Sequence, residues 1–255
     1  MPTLYLRRLT GLERSIKADI HLGLSLAFIA GAVNAGCFVA INQYTSHMTG
    51  IVSSIADGLV LGDIAFALAG FGSLVCFIAG ATITEFMVNW ARARQLQSEY
   101  ALPLILEGIL LMIFGIFGRA LHEHMGLFIS ITVMKLCFAM GIQNAIITRI
   151  SNAVIRTTHI TGIVTDIGIE LGRLFFWNRG VAKEDEAYVS ANRAKLLLLS
   201  ALLLMFFVGG IFGVLGFLWV GYATTVFLAF LLFLLALMPL VDDVRSTWIR
   251  RFRRY

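Results

Sequence analysis

Six apolar runs of about 20 residues dominate the chain: Leu22 to Ala40, Ile64 to Val88, Leu102 to Gly118, Leu127 to Ile147, Lys195 to Leu215 and Leu218 to Leu240. A helix rises about 1.5 Å per residue, so runs of this length cross a hydrocarbon layer about 30 Å thick. With 59% hydrophobic residues, 14% charged and 3 prolines, the 255-residue chain carries more apolar surface than one soluble core can hide. The expected fold is all-α: a polytopic helical membrane protein with about six transmembrane helices, its first partner the lipid bilayer. The first run is too long for the apolar part of a cleavable signal and is expected to be retained.

Lysine and arginine set the expected orientation, because basic loops stay on the cytoplasmic side. Arg7, Arg8, Arg14 and Lys17 precede the first run, and Arg92 and Arg94 follow the second. Arg149 to Arg193 make the connection after the fourth run basic, and five arginines from Arg245 to Arg254 close the chain. Ile41 to Asp63 contains no lysine or arginine, and Arg119 to Gly126 contains one. Alternate loops are therefore basic, which places both termini in the cytoplasm. This asymmetry accounts for the net charge of +5, so nucleic acid is not an expected partner. Residues 1–19 read as a cytoplasmic interfacial amphipathic segment and 243–255 as a basic cytoplasmic tail.

An internal repeat carries the functional signal. TSHMTGIVSSIADGL from Thr45 matches TTHITGIVTDIGIEL from Thr157 at eight of 15 positions. Each motif follows a span ending in GxxNA, with Gly31, Asn34 and Ala35 answered by Gly141, Asn144 and Ala145. Ala27, Gly31 and Ala35, like Cys137, Gly141 and Ala145, lie four apart and offer a small-residue stripe for close helix packing. The chain thus divides into a first transmembrane repeat, 20–122, and a second, 123–242. Three spans per repeat is an odd number, so the second is expected to enter the membrane inverted.

Both TxHxTG segments have helical periodicity with an apolar stripe, including Ile51 and Ile55 in one and Ile163 and Ile167 in the other. The first has no basic residue on its polar face, which argues against a surface helix and for short re-entrant or broken helices. Their threonines are expected to cap helix starts whose free amides face a polar ligand. The candidate binding residues are Asn34, Thr45, His47, Thr49, Gly50, Asn144, Thr157, His159, Thr161 and Gly162. Asp166, Glu170 and Lys135 are the candidates for coupling protons, the alternative for Glu170 being an ion pair with Arg173. Lys135 lies mid-run; Glu107 is read either as its partner or as snorkelling to the interface. His122 and His124 read as solvated loop residues, and Gly209, Gly213 and Gly216 as a packing face.

At GAVNAG, TSHMTG and QNAIITRISNAVIRTTHITGIVTDIGIELGRL the chain resembles the YoaK-like family of bacterial multi-pass membrane proteins, whose domain has no known function. The resemblance covers nearly the whole chain and implies a bacterial inner-membrane setting, but no reaction. Many members carry aspartate where this chain has Asn34 and asparagine where it has His47, so an ionisable role at those positions does not transfer across the family.

The function expected is a transporter or channel-like permease for a small polar solute or ion. A scaffold or sensor, or an intramembrane enzyme, is the alternative. No activated serine or cysteine, HExxH pair or phosphate loop accompanies the histidines, so the chain is not read as an enzyme. Cys37, Cys76 and Cys137 show no CxxC spacing, and no cofactor or metal is expected. Self-association is left open.

Overall fold

The computed structural model describes residues 16–96, 99–122, 127–150, 160–178, 185 and 188–252. Among these, the chain forms eight helices: α1 (Ile16–Ile41), α2 (Met48–Leu61), α3 (Ile64–Ala93), α4 (Ala101–His122), α5 (Leu127–Ile150), α6 (Ile160–Phe175), α7 (Arg193–Trp219) and α8 (Ala223–Phe252). The stretches Asp19–Ile41, Ile64–Ala93, Ala101–Gly118, Ile131–Arg149 and Arg193–Trp219 are long and apolar enough to cross a membrane. Met48–Leu61 and Ala223–Leu237 are shorter apolar helices. The fold is therefore all-α, with five long apolar helices and two shorter ones among the described residues.

Three helix pairs make the body of the molecule: α1 with α7, α3 with α5, and α4 with α8. The first two are crossings at glycine. A Cβ on Gly31 would strike the carbonyl of Phe206, and one on Gly209 the carbonyl of Phe28. In the other pair Gly141 meets the carbonyl of Phe77, and Gly80 that of Phe138. Only glycine lets two helix backbones approach this closely, and membrane helices depend on such contact because lipid offers no hydrophobic penalty for separation. Gly213, against Ala32, extends the packing face expected of it. Gly216 meets Thr224. Each GxxNA helix therefore packs on a long helix of the other repeat.

Contact order along each pair gives the helix directions. Phe28 meets Gly209, Ala32 meets Gly213 and Gly36 meets Phe217, so α1 and α7 run parallel. Gly72 meets Met134 and Gly80 meets Phe138, so α3 and α5 do too. Gly108 against Phe233 and Gly115 against Val226 make α4 and α8 antiparallel. Gly58 against Ala67 and Gly70 against Ile55 fold α2 back along α3. Asp166 beside Lys195, with Ile160 and Leu203 on one cavity wall, folds α6 back along α7 in the same manner.

Local signals account for the boundaries. α1 stops at Asn42, whose φ of 53° is left-handed and whose N–H bonds the carbonyl of Phe38. The α2–α3 turn uses Gly62 at φ 78°, and Asp63 caps α3 through the N–H of Phe66. The fifth and sixth apolar runs part later than the residue pattern suggests. α7 continues through Gly216 to Trp219, because the left-handed residue of the turn is Gly221. α8 continues to Phe252, so part of the expected tail prolongs a helix. The segment 1–15 lies outside the described residues, as does His124; the side chain of His122 is likewise not described.

Candidate functional site

The stretch between α1 and α2 is held from within the span. Asn34 Oδ1 accepts hydrogen bonds from both the backbone N–H and the hydroxyl of Ser46, at 3.1 and 2.9 Å. One half-buried amide thus fixes the entry to α2, which explains why an asparagine stands about two turns from the end of an apolar helix. Thr45 is wholly buried, and its hydroxyl oxygen has no hydrogen-bond partner among the described residues. In the second repeat Asn144 is buried and donates to the carbonyl of Met140 at 3.0 Å. Thr157 and His159 lie outside the described residues.

α2 starts without the expected threonine cap. Its N-cap is His47, which makes no side-chain capping hydrogen bond. The helix begins at Met48, so Thr49 is already inside the first turn and its side chain is exposed. The N–H of Met48 bonds the carbonyl of Ser46, whereas those of Thr49 and Gly50 find no backbone acceptor ahead of the helix among the described residues. Gly50 has a steric reason: a Cβ there would collide with the imidazole of His47, which folds over the first helical turn. The HxTG spacing is a histidine lying on a glycine.

A cavity of about 370 Å³ opens at this helix start. Asn42, Gln43, Tyr44 and His47 line it from the loop, Gly50 and Ser54 from α2, and Gly70 and Ser73 from α3. Phe38 also lines it, stacking on Tyr44 with ring centroids 4.5 Å apart. The lining contains amides, hydroxyls and an imidazole, but no carboxylate, lysine or arginine. Ser73 stands nine residues into α3, about 13 Å along its axis, so the cavity lies beside the body of a long apolar helix.

The described residues of the second motif do not line this cavity. α6 packs on α7, away from α2, with Thr161 and Gly162 exposed. Its own neighbouring cavity, about 530 Å³, is walled by Ile160, Leu203, Phe206 and other apolar residues. The described parts of the two TxHxTG segments are thus brought to separate places.

The three residues expected to couple protons are also redistributed. Glu170 is buried but engaged: it pairs with Arg173 at 3.0 Å and accepts the N–H of Asn192 at 2.8 Å. Asp166 pairs with Lys195 at 3.2 Å. These contacts clamp the loop after α6 to the start of α7. Lys135 does not point inward from mid-run, because its side chain falls on the exposed face of α5. Glu107, conversely, neither pairs with Lys135 nor snorkels: it is 0% exposed and both carboxyl oxygens lack a hydrogen-bond partner. Its position early in α4 permitted snorkelling on sequence grounds, but its side chain turns into the core rather than toward the helix end. Ser73 and Tyr44, which line the cavity, carried no separate signal in the sequence.

The helices and their lipid-length apolar faces define the class of protein, a multi-pass helical membrane protein. Residues 22–238 match the family described as "Protein of unknown function (DUF1275)", and the chain belongs to that family. It is similar to the UPF0700 transmembrane protein YoaK of Bacillus subtilis (strain 168), with 28% identity over 158 residues, 59% of this chain and 67% of that protein. No solved structure matches.

Proposed function

We propose that the protein is a permease for a small polar solute, with its substrate site at the interruption between α1 and α2. The observation that carries this reading is the 370 Å³ cavity at an uncapped helix start, where Asn42, Gln43, His47, Ser54 and Ser73 join apolar side chains beside the first third of a long apolar helix. Non-helical backbone at membrane depth is tolerated where protein or a watery cavity satisfies it, and transporters place substrate at such interrupted helices. α1 and α2 form one broken span in this reading, and α5 and α6 another. The contact-derived directions support six crossings and two inverted repeats, since α2 opposes α3, α6 opposes α7, and α4 opposes α8.

The lining favours a neutral or anionic solute over a cation. At the start of α2 the free amides of Thr49 and Gly50 and the positive end of the helix dipole meet, and no carboxylate lines the cavity to hold a cation. Shrinkage and reswelling of proteoliposomes provides the test, with glycerol, urea, formate and chloride as separate probes. At least one of them should permeate faster than through protein-free vesicles, and Ser54→Phe, which fills the cavity, should abolish that flux. Flux of none of them, or flux indifferent to Ser54→Phe in folded protein, would refute the reading.

A further inference from the structure

Glu107 presents a chemical problem that the cavity at α2 does not solve. It lies in the second turn of α4, inside one of the long apolar helices, and is wholly buried. Neither carboxyl oxygen has a hydrogen-bond partner among the described residues. On α5, which packs against α4, Gln143 is also wholly buried. Its amide nitrogen donates to the carbonyl of Leu26 on α1 at 3.2 Å, leaving its amide oxygen unpartnered. These two buried side chains thus hold three oxygens with no donor among the described residues.

Among the side chains described on the helices packed against α4, no cation is buried to match it. On α8 the described side chains are those of residues 223–237, and none of them is ionisable. On α5, Lys135 is exposed, Arg149 is bonded to Glu85 and Asn89, and Cys137 is a buried thiol. On α3, Glu85 is exposed, Cys76 is half-buried, and Arg92 is paired with Glu99 on the turn into α4, beside buried Tyr100. An unpaired carboxylate in such a place is strongly disfavoured, whereas a proton converts one surplus acceptor into a donor. Among the described residues no group of His, Cys, Asp and Glu is placed to hold a metal ion.

We infer that Glu107 is the intramembrane proton site of the permease, carrying its proton in this conformation and releasing it to water in a conformation that opens α4. The inference rests on the transport reading and replaces Asp166, Glu170 and Lys135, whose charges are already paired or exposed. The step is a simple ionisation: the O–H bond of the Glu107 carboxyl breaks, the electron pair stays on the carboxylate, and water on the open side takes the proton.

Infrared spectroscopy of the full chain in nanodiscs tests this without any solute. The wild type at pH 7 should show the carbonyl stretch of a protonated carboxylic acid, shifted in deuterated water, lost in Glu107→Gln and displaced but present in Glu107→Asp. Alkaline titration should bleach the band reversibly, at the same pH in sodium and potassium buffers. Equal spectra for wild type and Glu107→Gln would overturn the proposal, as would a band that persists until the protein unfolds. A bleaching pH that moves with sodium or potassium would do the same, because it marks a metal-cation site. Thermal unfolding establishes that each variant is folded, and Glu107→Asp retains the acid should Glu107→Gln fail. With any probe that permeates, pH dependence of the flux should disappear in Glu107→Gln; unchanged pH dependence overturns the coupling. A bleaching band with no flux removes the permease reading alone, and flux with no band removes only this proposal.

Discussion

Glycine residues in this chain do three different jobs, and substitution separates them. At Gly141 an added methyl would meet the backbone of Phe77, which cannot move without parting α3 from α5. Gly141→Ala should therefore lower stability by about 1–3 kcal/mol, the usual cost of overpacking. Gly168, on α6, has nothing within 4 Å of the added atom. Gly168→Ala should raise stability by about 0.5–1 kcal/mol through reduced backbone entropy in the unfolded chain. Denaturant titration in mild detergent distinguishes them, and shifts of the same sign would contradict the packing argument. Gly50 is the third kind: the obstacle is the His47 side chain, which can swing away, so its substitution should disturb the cavity more than the fold.

At the scale of the helix, α2 is the least self-sufficient element of the first repeat. It has 14 residues, packs chiefly on α3, and begins at a residue that does not cap it. His47→Asn supplies an amide oxygen that can accept from the amides of the first turn, and caps of this kind contribute about 0.5–2 kcal/mol. Hydrogen exchange at Thr49 and Gly50 should slow accordingly in the variant; unchanged exchange would mean that these amides are not open in the native protein. The existence of α2 was legible from the period of Ile51 and Ile55, and the close packing of α1 and α5 from their four-residue spacing of small side chains. Their partners were not. Periodicity tells which face of a helix is small, but the identity of the matching face depends on Phe206 and Phe77, far away in sequence. Hydropathy likewise marked Glu107 as costly without telling which way its side chain turned, since that is decided by the helices around it.

The whole molecule is organised by exchange between repeats: α1 of the first half packs on α7 of the second, and α5 of the second packs on α3 of the first. The small-residue stripe of each half is buried against the other half, so α2 and α6 are mounted on a body built jointly. The directions read from the contacts place the α2–α3 turn and the α7–α8 turn at one end, and the α3–α4 turn and the α6–α7 connection at the other. Arg92 and Arg94 lie at the second end, which the charge rule assigns to the cytoplasm. In a background with Cys37, Cys76 and Cys137 replaced by alanine, single cysteines at Leu61 and Val220 should react with an impermeant maleimide added outside intact cells. Cysteines at Gln95 and Asp185 should react only after the membrane is opened. All four positions are exposed, so a failure to label cannot be blamed on burial. Labelling of Leu61 and Asp185 from the same side would be incompatible with inverted halves: α2 and α6 would then approach the bilayer from one face, and the charge asymmetry of the loops would need another cause.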